Sequence, residues 1–194
     1  MEIAELIRLL ENVARTGTVT EIDEKNARVR VQSGGLVTTW LRWTAQRAGA
    51  FKVWVPPSIG EQVWFLCLGG NTDVAFIGGS LYSDDNPAPG ASRNEMVMTA
   101  PDGATFRYDA EAGALQVRGI KSAVVESSIK ITLDTPEVEC TNLLVTRSLN
   151  VREGGEMHGS ITHTGGMFTS NGVQVDDHDH GAVERGGSWT EGTR

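Results

Sequence analysis

Apolar residues near the start of the chain fall at Ile3, Leu6, Ile7 and Leu10, an i, i+3, i+4, i+7 spacing, with Glu2, Glu5, Arg8 and Glu11 elsewhere on the wheel. This spacing predicts a short amphipathic N-terminal helix, docked on its own domain or serving as a docking peptide for a partner protein. From Thr16 the period becomes two. Thr18-Val19-Thr20-Glu21-Ile22, the turn Asp23-Glu24-Lys25-Asn26 and Ala27-Arg28-Val29-Arg30-Val31 read as a β-hairpin. Short β-branched or aromatic runs continue at 36–43, 51–55, 61–68 and 73–77, separated by Gly34-Gly35, Pro56-Pro57 and Gly69-Gly70. About five strands in so short a stretch predict a small closed barrel of the OB type.

Ser83-Asp84-Asp85-Asn86-Pro87-Ala88-Pro89-Gly90 is a polar, proline-bearing break, read here as the link between domains. Beyond it large side chains thin out, and four of the five Trp residues lie before it. The second half instead carries a series of very short alternating stretches, at 114–117, 128–133, 137–140, 143–145 and 149–151, each with one small apolar face. Faces of two or three residues cannot be buried by one such stretch. Winding several copies about a common axis as a β-helix or prism would bury them, and identical chains in cyclic symmetry would also pair every strand edge. A second, monomeric β-sandwich fits the same periodicity.

Composition narrows the functional classes. The 194 residues carry 17 Lys+Arg against 25 Asp+Glu, a formal charge of -8, and both halves are acidic. A barrel gripping a nucleic-acid backbone needs a basic groove, so this balance argues against such a role. Trp40, Trp43, Trp54 and Trp64 could stack bases, but on strands such residues more often fill a barrel core or a subunit interface. The longest apolar run, at 63–68, is far too short to cross a bilayer. The acidic start lacks the features of a secretory leader, so synthesis in the cytosol is expected. Cys67 and Cys140 have no CxxC spacing and read as buried free thiols.

Candidate chemistry is confined to the end of the chain, Asp176-Asp177-His178-Asp179-His180-Gly181. On an extended strand His178 and His180 project from one face while Asp177 and Asp179 point away. Two imidazoles are half a metal site at most, and His158 and His163 have no supporting spacing. In a trimer, three copies would offer six imidazole nitrogens on the axis. That donor set suits an octahedral first-row ion such as iron, cobalt or nickel better than tetrahedral zinc, and without an open position it would be structural. The alternative is a pair of ordinary exposed histidines in a polar tail. There is no Gly-x-Ser-x-Gly elbow, phosphate-binding loop or His-Glu-x-x-His pair, and the carboxylates Glu95, Asp102 and Asp109 bracket no substrate.

Several of these residues also carry a resemblance. Trp54-Val55-Pro56-Pro57-Ser58-Ile59-Gly60-Glu61-Gln62-Val63, then Gly69-Gly70-Asn71 and Gly78-Gly79-Ser80-Leu81-Tyr82, resemble the OB domain of the baseplate assembly protein V family, the central spike proteins of contractile-tail phages. The stretch from Gly165-Gly166 through Ser170-Asn171-Gly172-Val173 to His178-Asp179-His180-Gly181 is similar to that family's spike tip. The resemblance covers nearly the whole chain. It implies an all-β homotrimer with a short N-terminal helix: an OB-fold collar, an intertwined triple-stranded β-helix, and an apex where His178 and His180 of each chain hold one iron ion. It also implies no enzymatic activity, a place in the virion's tail baseplate, a collar docked to the tail hub, and a point pressed into the host outer membrane as the sheath contracts. The family commonly has Thr between the tip histidines; this chain has Asp179, and three copies of its acidic neighbourhood favour a cation, iron or another first-row metal.

The expected plan is therefore an N-terminal helix at 1–15, the OB collar at 16–85, a linker at 86–94, the β-helix at 95–175 and the apex at 176–194. Two rival readings are an OB-fold nucleic-acid binder, which would bind single strands in a salt-dependent way, and a metal-dependent hydrolase using His178 and His180, which would need a third ligand.

Overall fold

The computed structural model of the chain describes residues 2–175, which fall into two compact units dividing after Ser128. In the first unit, strand β1 (Ala14–Asp23) runs through a single 3-10 turn, Glu24–Asn26, into β2 (Arg28–Ser33). The turn is closed by the Asp23 carboxylate, which accepts from the Asn26 backbone N–H at 3.1 Å and the Asn26 side-chain amide at 2.7 Å. This is the hairpin expected from the sequence, with β1 extended back to Ala14. Next come β3 (Leu36–Val37), β4 (Leu41–Trp43), β5 (Gln62–Cys67) and β6 (Ala75–Leu81).

These strands close on themselves. β1 pairs antiparallel with both β2 and β5, β5 with β6, and β2 with β4, while β4 and β6 pair in parallel. Five strands in the cyclic order β1-β2-β4-β6-β5 form a Greek-key barrel of the OB type, and β3 extends the β2 edge. Alternation along each strand sends one residue in two inward. Val29 and Val31 from β2, Val63, Phe65 and Cys67 from β5, and Val19, Leu41 and Ile77 make the core, each at most 2% exposed. Burial pushes the Cys67 thiol pKa up.

Two details depart from the strand pattern expected of the sequence. The run at 36–43 is broken between β3 and β4, because Thr38 turns inward. Its N–H donates to the Val31 carbonyl at 3.0 Å, its Oγ1 accepts from the Val31 N–H at 3.0 Å, and Arg30 Nε donates to its carbonyl at 3.0 Å. The apolar run at 51–55 forms no strand. Only a single bridge, Ala48 to Lys52, orders it, since Pro56 and Pro57 beyond it lack the N–H donors a ladder needs. Of the four barrel-region tryptophans only Trp43 packs against the core, and it is partly buried. Trp40, Trp54 and Trp64 are exposed on the barrel surface, and Trp43 tilts against Trp54 with ring centroids 5.5 Å apart.

Helix α1 (Ile3–Asn12) joins β1 directly. Its last turn lies against the barrel: the Leu9 backbone sits over Gly70, where any Cβ would collide with the Leu9 carbonyl. Arg15 ties the junction, donating to Asn12 Oδ1 at 2.6 Å and to Ser33 Oγ and the Ser33 carbonyl at 3.1 and 3.2 Å. The helix is thus docked, yet by Leu9 and Asn12 and not by its apolar stripe. Ile3, Leu6, Ile7 and Leu10 remain 44–78% exposed.

After the proline-bearing break the chain forms a three-stranded antiparallel meander, β7 (Glu95–Thr99), β8 (Thr105–Asp109) and β9 (Ala114–Arg118). These residues, which the sequence pattern groups with the second half of the chain, belong to the first compact unit. Of the three strands only the last, at 114–117, is marked by its sequence. The break itself is fastened to both neighbours. Asn86 Nδ2 donates to the Gly60 carbonyl of the barrel at 3.3 Å, and the Glu95 carboxylate accepts from the N–H groups of Ala91 and Ser92 at 2.8 and 2.9 Å and from Arg107 Nε at 2.9 Å. Those backbone bonds, with Arg107 beside them, hold the Glu95 carboxyl below its ordinary pKa.

Candidate functional site: an uncovered apolar segment

From Gly119 to Val175 no residue is buried. Ile129 is 94% exposed and Val124 87%, and Ile131, Leu133, Val138, Leu143, Val145, Leu149, Val151 and Ile161 are all exposed. The chain is extended between sharp bends at 128–129, 135–136, 141–142, 147, 152–153, 159 and 165–166. Bends thus recur every five to seven residues. Two of them are fixed locally by hydroxyls: Thr135 Oγ1 donates to the Glu137 carbonyl at 3.1 Å and Thr146 Oγ1 to the Ser148 carbonyl at 2.8 Å.

Between bends the sequence alternates, so Ile129, Ile131 and Leu133 share one face, as do Val138 and Cys140, Leu143 and Val145, and Leu149 and Val151. None of the strands expected at 128–133, 137–140, 143–145 and 149–151 forms a ladder within the single chain. A strand is defined by its partner, and one copy supplies none at these positions. Cys140, expected from sequence to be buried, is exposed, lying in this stretch where no residue is buried.

The described chain closes on a hairpin, β10 (Thr169–Ser170) with β11 (Val173–Gln174). Asn171 and Gly172 make its two-residue turn, both with positive φ, 51° and 82°. That backbone suits Asn-Gly and matches the twist of the flanking strands. Val175 N–H extends the pairing, donating to the Phe168 carbonyl at 2.7 Å.

His178 and His180 lie outside the described residues. Among the described residues no three His, Cys, Asp or Glu side chains gather into a metal site. His158 stands 3.4 Å from Glu156 on the surface, and His163 packs beside the Phe168 ring at 5.7 Å. On the barrel, Arg30 is committed to Glu21 at 2.9 Å and to the Thr38 carbonyl, with its guanidinium 6.0 Å from the Trp40 ring centroid. No described helix is long and apolar enough to cross a membrane.

Comparison with known proteins divides the chain along the same lines. Residues 15–82, the barrel, match the family described as the type VI secretion system/phage-baseplate injector OB domain. Residues 119–171, the uncovered segment, match the phage spike trimer family. Both families consist of structural spike and baseplate proteins and not of enzymes. The spike protein of Escherichia phage P2 is 45% identical over 193 residues, an alignment covering 92% of each chain. The chain belongs to the phage spike protein family.

Proposed function

We propose that the chain is the central spike of a contractile phage-tail baseplate, a homotrimeric needle that docks to the tail hub through its OB collar and pierces the host outer membrane when the sheath contracts. The observation that carries this reading is the stretch from 119 to 175, where regularly bent, alternating segments expose all their apolar side chains. Three such chains wound about one axis as a triple-stranded β-helix bury those faces in a continuous core and supply every strand with a partner. A shaft without free edges resists unravelling under load. At the collar, the exposed stripe Ile3, Leu6, Ile7 and Leu10 of α1 supports contact with a neighbouring baseplate protein.

At the apex, His178 and His180 of three chains would hold one iron or other first-row ion. The donor set fits: six imidazoles from three chains would suit such an ion, and the acidic residues Asp176, Asp177 and Asp179 of the sequence would favour a cation. The ion would supply a crosslink at the position where chain ends fray most readily. Because the site exists only in the assembled trimer, its binding free energy adds to the stability of the point.

The test is the variant His178→Ala with His180→Ala, followed by metal analysis and native mass spectrometry. A trimer that has lost its ion is expected. An unchanged metal content in that variant would place the ion elsewhere and defeat the assignment of the apex.

A further inference from the structure

A groove runs between the barrel and β7, inside the first unit of a single copy. Two cavities, of about 660 Å³ and about 430 Å³, open onto it and share Ser58, Glu61, Ser80 and Thr99, so they form one continuous site. Of the two, Trp43 lines only the first and Tyr82 only the second, so aromatic surface flanks the shared polar residues on both sides. Trp43 is braced there by Trp54, and Val55, Pro56, Pro57 and Ile59 complete the apolar wall. The polar centre is fixed in place. The Glu61 carboxylate, half-buried at the entry to β5, accepts from the Ser58 N–H at 2.7 Å through one oxygen and from the Ser80 hydroxyl of β6 through the other. A carboxylate oxygen accepts two bonds, so each keeps one lone pair for a ligand.

We propose that this groove binds a neutral N-acetylated oligosaccharide, with sugar ring faces on Trp43 and Tyr82, hydroxyl and acetamide N–H groups donating to Glu61, and acetyl methyl groups against Val55 and Pro56. The lining selects this chemistry. No Lys, Arg or His lines either cavity, while Glu24 and Glu61 do, so phosphate and carboxylate ligands meet only like charge. A fixed carboxylate at the centre would be stripped of water by a lipid chain without gaining a partner, which is costly. The Ser58 N–H is already given to Glu61, so the groups left free are hydroxyls and carboxylate oxygens, which suit a polyhydroxyl ligand better than a peptide backbone. Sugar rings offer what remains: flat apolar faces for aromatic side chains and a rim of donors for a few placed polar groups. Every lining residue belongs to one copy, so the site is complete without the trimer reading above, and its failure would leave that reading standing.

The probe is chitotetraose, a neutral N-acetylated oligosaccharide, titrated into the full-length protein by calorimetry and by tryptophan fluorescence, to which Trp43 contributes. Saturable binding is expected, weakened at least about tenfold by Tyr82→Ala and by Glu61→Gln. Tyr82 is 73% exposed, so its truncation leaves the barrel intact and keeps the test valid even where Glu61→Gln, which disturbs the bonds to Ser58 and Ser80, lowers stability. Phe51→Ala, at an exposed residue outside both cavities, should bind like the parent. Maltotetraose, which has no acetamide groups, should bind at least about tenfold more weakly, and equal affinity would overturn the N-acetyl assignment. Displacement of the bound probe by isolated peptidoglycan or by purified lipopolysaccharide supports the proposal and tells the two sources of such sugars apart. The proposal is overturned if chitotetraose shows no saturable binding, if Tyr82→Ala binds it unchanged, or if neither natural material displaces it.

Discussion

A chain carrying Ile131→Asp together with Leu133→Asp is expected to run as a monomer with its barrel intact. In the isolated chain both side chains are exposed, at 53 and 67%, so the substitutions remove little packing made within one copy. Their effect is therefore expected mainly between copies. With the shared face of 129, 131 and 133 turned to the trimer axis, the double variant brings six carboxylates into an apolar core, each lacking a partner. A buried, unpaired charge costs several kcal/mol, and threefold symmetry multiplies the penalty. Size-exclusion chromatography with light scattering reads the mass, and far-ultraviolet circular dichroism reads the barrel. A trimer of unchanged stability would show that this face does not pack inward.

The second large effect lies in the barrel. Phe65 is fully buried on β5 among Val19, Val29, Val31, Leu41, Val63 and Ile77. Phe65→Ala removes that packing and leaves a cavity, at a cost of about 3–5 kcal/mol. A small domain has a total stability of only about 5–15 kcal/mol, so the thermal midpoint of the collar should fall by more than about 10 °C. Trimerisation, in contrast, should survive, because on the proposed reading residues 119–175 take their stability from the other copies. Calorimetry would then show one transition moved and the other in place. A single transition shifted as a whole would mean that collar and shaft unfold together.

How much of the fold is legible in the sequence depends on where each element finds its partners. The barrel is legible because alternation and Gly or Pro punctuation are local signals: the β1–β2 hairpin and β5 lie where those signals place them, while β6 starts two residues later than the run at 73–77 and continues to Leu81. Such signals fail where a single side chain or a missing donor decides the outcome: Thr38 splits one run, and Pro56-Pro57 leaves 51–55 without a ladder. β7 and β8 escape the pattern although Phe106 and Tyr108 alternate with Thr105, Arg107 and Asp109, because each strand is only five residues long and offers just two apolar residues on one face. The Asn171-Gly172 turn is a hairpin signal hidden within the stretch that resembles the spike tip. The segment beyond 119 has a pattern that asks for strands and a chain that cannot supply them. Its period is therefore legible while its packing is not, since on the proposed reading its partners are other copies. His178 and His180 remain a sequence-derived site.

Native mass spectrometry of the untagged protein tests the central claim most directly, because one spectrum reports subunit number and bound ion together. The account predicts a single species at three times the 20.9 kDa chain mass plus one first-row metal ion, with iron the expected identity. A metal-free monomer would contradict it, and the uncovered segment from 119 to 175 would then need a different partner.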